Sequence, residues 1–249
     1  MKTLAIDIET APNTAHVWGL FNQNVGISQI MQTGRVMCFA AKWVGQKGVT
    51  FYSEHTHGHR ATIDAAYALI GEADAVLTYN GRSFDLPTLN REFVKYRMGP
   101  PAPYHDIDLL LVIRRRFRFS SNKLDHICRE LGLGAKTKHS GHELWVQCMN
   151  GDPKAWKLME RYNRQDVLLL EKLYEVVRPW IDQHPNAALY SGIDAPACTN
   201  CGSTNVQKRG LQASRTHKYQ RFHCQECGTW MRSRFTLTPR SQVLTQIAS

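Results

Sequence analysis

The chain has 249 residues and no apolar run near the roughly 20 residues that span a bilayer, so no transmembrane helix is expected. It also has no low-complexity tract and no internal repeat, which sets aside disordered, fibrous and solenoid architectures. Its cysteines do not come in an even number. Seven cannot form a fully paired disulfide framework, and they point to a reducing compartment. The opening MKTLAIDIET has a lysine and a short apolar run, but Asp7 and Glu9 interrupt it and no cleavage site follows. A signal peptide is therefore not expected. Acid is scarce at the other end. From Ala195 to Ser249 eight Lys and Arg face one acid, Glu226, so this tail carries +7 of the net +10. A tail of that charge is a candidate polyanion-binding module, whereas the body is close to neutral.

The composition is otherwise that of a globular protein, 43% hydrophobic and 21% charged, long enough for one large domain with a small one or for a single domain of generous size. TLAIDIET alternates as a strand does, and RVMCFAAKWV and VTFYSEH complete an expected antiparallel set. ATIDAAYALIGEA has helical spacing, with Ile63, Ala66, Tyr67 and Ile70 on one face. A strand, AVLTY, follows, then a helix from about Pro87 to Met98 that GPPAP ends. HDIDLLLVI comes next, NKLDHICRELGLG is a helix with a glycine stop, and a last helix covers most of PKAWKLMERYNRQDVLLLEKLYEVVRPW. This order predicts a mixed α/β domain over residues 1–182 and a linker over 183–196, rich in Pro, Ala and turn formers. A small basic domain follows over 197–249.

Four acids lie on three segments of that body, and each segment has two readings. In AIDIET the strand period puts Asp7 and Glu9 on one face and Ile6 and Ile8 on the other. Two adjacent carboxylates repel unless a cation sits between them, or they simply face water. Asp85 follows AVLTY where a loop turns into a helix, as a helix cap or as part of a site. Asp166 lies one turn after Tyr162, on the face that Leu169, Leu170 and Leu173 extend. An acid there is either on an exposed stripe or an inward carboxylate that a cation must offset. Taken together the four form a set of hard oxygen ligands suited to Mg²⁺ or Mn²⁺.

DIET (7–10), NGRSFD (80–85) and YNRQD (162–166) resemble, in order and spacing, the three exonuclease motifs of the DEDD superfamily, whose fold is ribonuclease H-like. The middle motif is similar to YNGxxFDxP of family-B DNA polymerase proofreading domains and of stand-alone bacterial ribonuclease H-like proteins. HDIDLL (105–110) and KLDHICRELGLGAK (123–136) fall where that group carries similar segments, so the resemblance covers about residues 1–180. Tyr162 stands four before Asp166, and Arg161 stands where the sister branch has histidine, so the chain resembles the tyrosine subtype. The resemblance implies a mixed sheet flanked by helices, and two Mg²⁺ or Mn²⁺ ions. Asp7 would bridge both ions, Glu9 and Asp166 would complete one site, and Asp85 would hold the other through water. Tyr162 would position the attacking water, Asn80 and Phe84 would shape the pocket for the terminal nucleotide, and Thr10 would bond the scissile end. Asp106 and Asp108 are read as structural. RRRFRF (114–119) is equally a single-strand track or a solvated strand end, and EHTHGH (54–59) is read as a polar loop.

The tail holds CTNC (198–201) and CQEC (224–227), separated by 22 residues. Cys198, Cys201, Cys224 and Cys227 suit one tetrahedral structural Zn²⁺, and Gly202 and Gly228 fit the turns around sulfur. KYQRFHCQECGTWMRSRF resembles zinc ribbons of transposases and other DNA-handling proteins. Arg221, Trp230 and Arg232, with Tyr219, Phe222 and Arg234, are candidates to hold phosphates and unstacked bases. Cys38, Cys128 and Cys148 are expected to be buried free thiols.

The reading that follows is a two-metal 3′–5′ exonuclease on DNA, acting at single strands or 3′ ends and delivered by a basic zinc ribbon. It implies a cytoplasmic, bacterial or phage-encoded or nucleoid-associated protein in DNA repair or replication, with replication or recombination proteins as possible partners and no membrane. A structure-specific endonuclease and a non-catalytic nucleic-acid-binding adaptor are the alternatives.

Overall fold

Strand β1 (Thr3–Thr10) has buried residues from Thr3 to Ile6 and again at Ile8, while Asp7, Glu9 and Thr10 stay half-exposed. That alternation sets the fold. In a computed structural model that describes residues 1–240, the chain divides into two compact units, Lys2–Glu175 and Val176–Ser249 with Met1.

In the first unit, β1 leads into a small pair, β2 (Thr14–Ala15) and β3 (Ile30–Gln32), then β4 (Val36–Trp43) and β5 (Thr50–Ser53). Helices α1 (Glu54–His57) and α2 (His59–Gly71) precede β6 (Ala75–Thr78), α3 (Asp85–Lys95) and β7 (His105–Asp108). Four helices finish the unit: α4 (Leu109–Arg116), α5 (Leu124–Glu130), α6 (His142–Met149) and α7 (Pro153–Val177). The sheet order is β5-β4-β1-β6-β7. β1 is antiparallel to β4 and parallel to β6, and β6 is parallel to β7, so β1 lies at the centre of a mixed sheet. The expected antiparallel set of β1, β4 and β5 is formed.

The two faces of β1 follow from its period of two. Ile6 and Ile8 pack with Phe39, Ile63 and Leu89 under α2 and α3. The opposite face looks to α7, whose Tyr162 joins Met37, Cys38, Leu144 and Trp156 in a second core. Each such fully buried aliphatic side chain contributes about 2 kcal/mol. Polar contacts fix where α7 sits. Lys42 Nζ donates to Glu171 Oε1 at 2.6 Å, Arg164 donates to the Val49 carbonyl, and Asn163 Nδ2 donates to Asp7 Oδ2 at 2.6 Å.

Within EHTHGH, Glu54–His57 form the short helix α1 rather than a loop, with Ser53 capping it by accepting from Thr56 N–H, and His59 opens α2. Helix α3 starts at Asp85, two residues before the expected Pro87, since proline is tolerated in a first turn. Helix α6 was not expected from the sequence. Cys38, Cys128 and Cys148 are buried free thiols.

The second unit holds a 3₁₀ turn at Ala187–Tyr190, inside the stretch read as a linker, followed by an antiparallel sheet. Its strands are β8 (Val206–Ala213), β9 (Lys218–Cys224) and β10 (Trp230–Thr236), with β9 in the middle. Residues 241–249 of the expected basic domain lie outside the described residues. No helix among the described residues is long and apolar enough to cross a membrane.

The loop between β6 and α3 depends on Gly81. A Cβ there would stand 2.3 Å from Thr78 Cβ and Oγ1, and Thr78 is fully buried. Gly81→Ala is expected to cost about 1–3 kcal/mol, the range for overpacking a core, read from the urea midpoint at constant slope.

Candidate metal centre and cysteine cluster

Asp7 and Glu9 sit at the end of the central strand, just before a bulge that shifts the β1–β4 register between Glu9 and Thr10. Asp166 comes from the middle of α7 and is buried. One oxygen from each of the three carboxylates lies within 4.8 Å of the others. At that distance two like charges repel by roughly 3 kcal/mol even at an effective dielectric near 20. Lys136 answers part of this: its Nζ contacts Asp166 Oδ2 and donates to Tyr162 Oη at 3.3 Å. One ammonium against three carboxylates leaves a formal charge of −2. Asp166 Oδ1 and Asn163 Oδ1 are buried with no hydrogen-bond partner. An orphaned carboxylate oxygen inside a ring of acids fits a hard divalent cation, which takes oxygen ligands and neutralises that charge.

Asp85 is not in this tight group. It is the first residue of α3, and its Oδ1 accepts the Ile8 amide at 3.1 Å, so it ties the start of the helix to the strand that carries Asp7 and Glu9. Asn80 adopts a left-handed backbone, φ 70°, which asparagine tolerates. Asp108 accepts from Asn80 N–H at 2.8 Å and from Arg82 N–H, and it also caps α4 through Leu110 N–H. Asp106 pairs with Arg82 Nε at 2.8 Å. These two acids hold the loop that delivers Asp85. Phe84 is exposed, and Thr10 half-exposed.

The electrostatics follow first from burial and then from crowding. Burial raises Asp7 well above the usual carboxylate range, and Glu9, Asp85 and Asp166 add to it. Glu9 is pushed to about 8 by burial and by Asp166, against the pull of Lys136. Asp85 rises to about 6 through burial, although the Ile8 amide lowers it. Burial also raises Asp166, despite Lys136. The Tyr162 phenol is raised far above its ordinary value by burial and by Asp166, Glu9 and Asp7, so it stays protonated. Its ring meets His139 edge-on at 4.8 Å and Trp145 at 6.1 Å.

Lys136, Asn163 and His139 were not singled out as site residues by sequence reasoning. Asn163 carried a signal: it lies three before Asp166, on the same inward face. Lys136 closed a quoted segment, KLDHICRELGLGAK, but nothing local connects it to a residue 30 positions away.

In the second unit, one sulfur from each of Cys198, Cys201, Cys224 and Cys227 lies within 4.8 Å of the others. The Cys198–Cys227 and Cys201–Cys224 separations are both 3.6 Å. A tetrahedron with roughly 2.3 Å metal–sulfur bonds has edges of about 3.8 Å, so the donor set and spacing fit zinc. Gly202 and Gly228, at φ 78° and 74°, make the turns that bring each pair round. On the sheet, pairing of Arg232 with Arg221 and of Trp230 with His223 places these four on one face. Arg221 lies over Trp230 at 4.8 Å and Arg232 over Tyr219 at 4.0 Å.

A family model described as RNase_H superfamily matches residues 26–178, which is more than half of the chain. The chain belongs to the ribonuclease H superfamily. The match starts after β1, so the pairing of Asp7 and Glu9 with Asp166 comes from the tertiary structure. No curated protein matches the chain. The mixed sheet flanked by helices is the ribonuclease H-like fold, and membership supports a metal-dependent nuclease acting on nucleic acid as the chain's general class.

The pKa shifts set a sign for stability. Between about pH 4 and 8 the unfolded chain releases protons that Asp7, Glu9 and Asp85 retain when folded, so the contribution of these three groups to stability falls as pH rises. Lys136, raised from an already basic value, acts only above this window. In EDTA the denaturation midpoint is expected to be lower at pH 8 than at pH 5.5, and Mg²⁺ or Mn²⁺ should recover most at the higher pH.

Proposed function

We propose that this member of the ribonuclease H superfamily is a 3′–5′ exonuclease of the DEDD type, tyrosine branch, hydrolysing DNA from single-stranded or 3′ ends. The observation that carries the reading is the meeting of Asp7, Glu9 and Asp166 within 4.8 Å beside a protonated Tyr162. Asp7, Glu9 and Asp166 would hold one divalent ion, with Asp7 shared and Asp85 serving a second. Two such ions supply a polarised water and stabilise charge on the leaving oxygen.

The chain's own residues do the rest. The Tyr162 hydroxyl remains a donor at neutral pH and orients the nucleophilic water rather than deprotonating it. Asn163 fixes the rotamer of Asp7 through its 2.6 Å bond, and the Ile8 amide fixes that of Asp85. Lys136 holds Asp166 and Tyr162 in register with each other. Phe84, exposed and next to Asp85 in sequence, is with Asn80 and Thr10 the proposed contact to the terminal nucleotide.

Residues 1–182 would form the nuclease domain, 183–196 a linker, and 197–249 a basic zinc ribbon whose Arg221, Trp230 and Arg232 contact nucleic acid. Replication or recombination partners, and a place in the cytoplasm or on the nucleoid, belong to the same proposal.

Asp7→Ala is expected to cut Mg²⁺-dependent nucleotide release at least 1000-fold while leaving nucleic-acid binding intact. The assay compares 5′-labelled single-stranded DNA, duplex DNA, branched DNA and RNA with Mg²⁺ or Mn²⁺. Stepwise shortening from the 3′ end supports the proposal. Cuts only at junctions would replace it with an endonuclease, and no hydrolysis of any substrate would replace it with a binding adaptor. For the ribbon, Cys198→Ser should lower zinc from one ion per chain to none by elemental analysis and weaken DNA retention.

A further inference from the structure

Directly after Glu9 and Thr10 the chain leaves the central sheet and returns only at β4. The excursion, residues 12–34, displays Trp18 at 96%, Ile27 at 89%, Leu20 at 88% and Phe21 at 84% exposure, with Met31 also in water. Folded proteins rarely present so many large apolar side chains together unless the surface meets a partner.

The arm is a built element. His16 N–H donates to the Gln29 carbonyl at 3.0 Å, Gln29 Nε2 returns a bond to the His16 carbonyl at 2.9 Å, and β2 pairs with β3. Its neck is closed by Ala11 N–H to the Arg35 carbonyl at 2.9 Å and by Gly34 N–H to Asn13 Oδ1 at 2.6 Å. A Cβ on Gly34 would stand 2.7 Å from the Ala11 carbonyl oxygen, so the neck admits no side chain there. Ala11 itself is buried in the core that contains Tyr162. The root of the arm is thus fixed beside the carboxylate centre, and its rings project into solvent.

The chemistry of the arm selects the occupant. From Ala11 to Gly34 there is no Asp, Glu, Lys or Arg. Nothing there repels a polyanion, and nothing there grips a phosphate. Trp18 and Phe21 offer flat faces, and Asn22 and Asn24 offer amides of the kind that pair with base edges. A second copy of the chain could cover the same side chains, but that would need no root fixed beside Glu9 and Tyr162. We propose that the arm stacks on unpaired bases of the strand whose end enters the carboxylate centre, separately from any contact made by the C-terminal sheet. This rests on the nuclease reading above.

The test uses the full chain and a single-stranded DNA oligonucleotide carrying 2-aminopurine near its 3′ end, with Ca²⁺ in place of Mg²⁺ to hold back hydrolysis. Stacking quenches the probe. The double variant Trp18→Ala, Phe21→Ala is expected to keep its thermal midpoint, because both side chains are exposed, to bind about tenfold more weakly, and to lose the quench. Arg221→Ala, Arg232→Ala is expected to bind more weakly and keep the quench. Unchanged affinity and quench in the arm variant would overturn the proposal. So would a wild-type dimer that the arm variant splits while oligonucleotide binding stays the same. Binding in Ca²⁺ does not depend on turnover, so a failure of the nuclease reading in the Asp7→Ala assay would be seen separately.

Discussion

Like-charge repulsion at the end of β1 is the constraint around which the first unit is arranged. Asp7 and Glu9 share the strand face that looks to α7, and Asp166 comes down on them from that helix. The isoleucines on the other face anchor the strand in a core, so the acids cannot escape by rotating the strand. Burial and the neighbouring acids raise the pKa of Asp7 and Glu9, burial raises that of Asp166, and ionised together the three would push α7 away. Lys136, Asn163 and the Lys42–Glu171 pair hold it in place. The site is therefore under electrostatic load, which is the condition under which binding a divalent cation is most favourable.

The second unit follows a different logic. Its strands are largely exposed, and among the described residues of its sheet only Cys224 is buried, so little apolar surface holds it together. Four convergent sulfurs replace a core, and the metal they fit would supply folding free energy outright. With its own packing demands low, the sheet can turn arginines and aromatic rings to solvent, already stacked on each other.

Much of this was legible in the sequence. The period of two in AIDIET separates acids from isoleucines, and the i, i+4 spacing of Tyr162 and Asp166 marks one helix face. The two CxxC pairs announce a four-sulfur group. Other parts were hidden. Asp85 was open between a helix cap and a ligand, and its carboxylate bonds the Ile8 amide, 77 positions away. Helix α6 is eight residues long, too short for periodicity to declare it. The arm over residues 12–34 drew no expectation from the sequence, since composition does not say which apolar side chains face water.

The sequence by itself determined the alternation, the helix faces, the basic tail and the pairing of cysteines, because these depend on near neighbours and fixed repeat lengths. Only the tertiary structure decided which acids meet, which lysine answers them, and which hydrophobic side chains stay outside. Those outcomes come from packing segments 30 to 156 positions apart, where strand register and helix docking, not local spacing, set the distances.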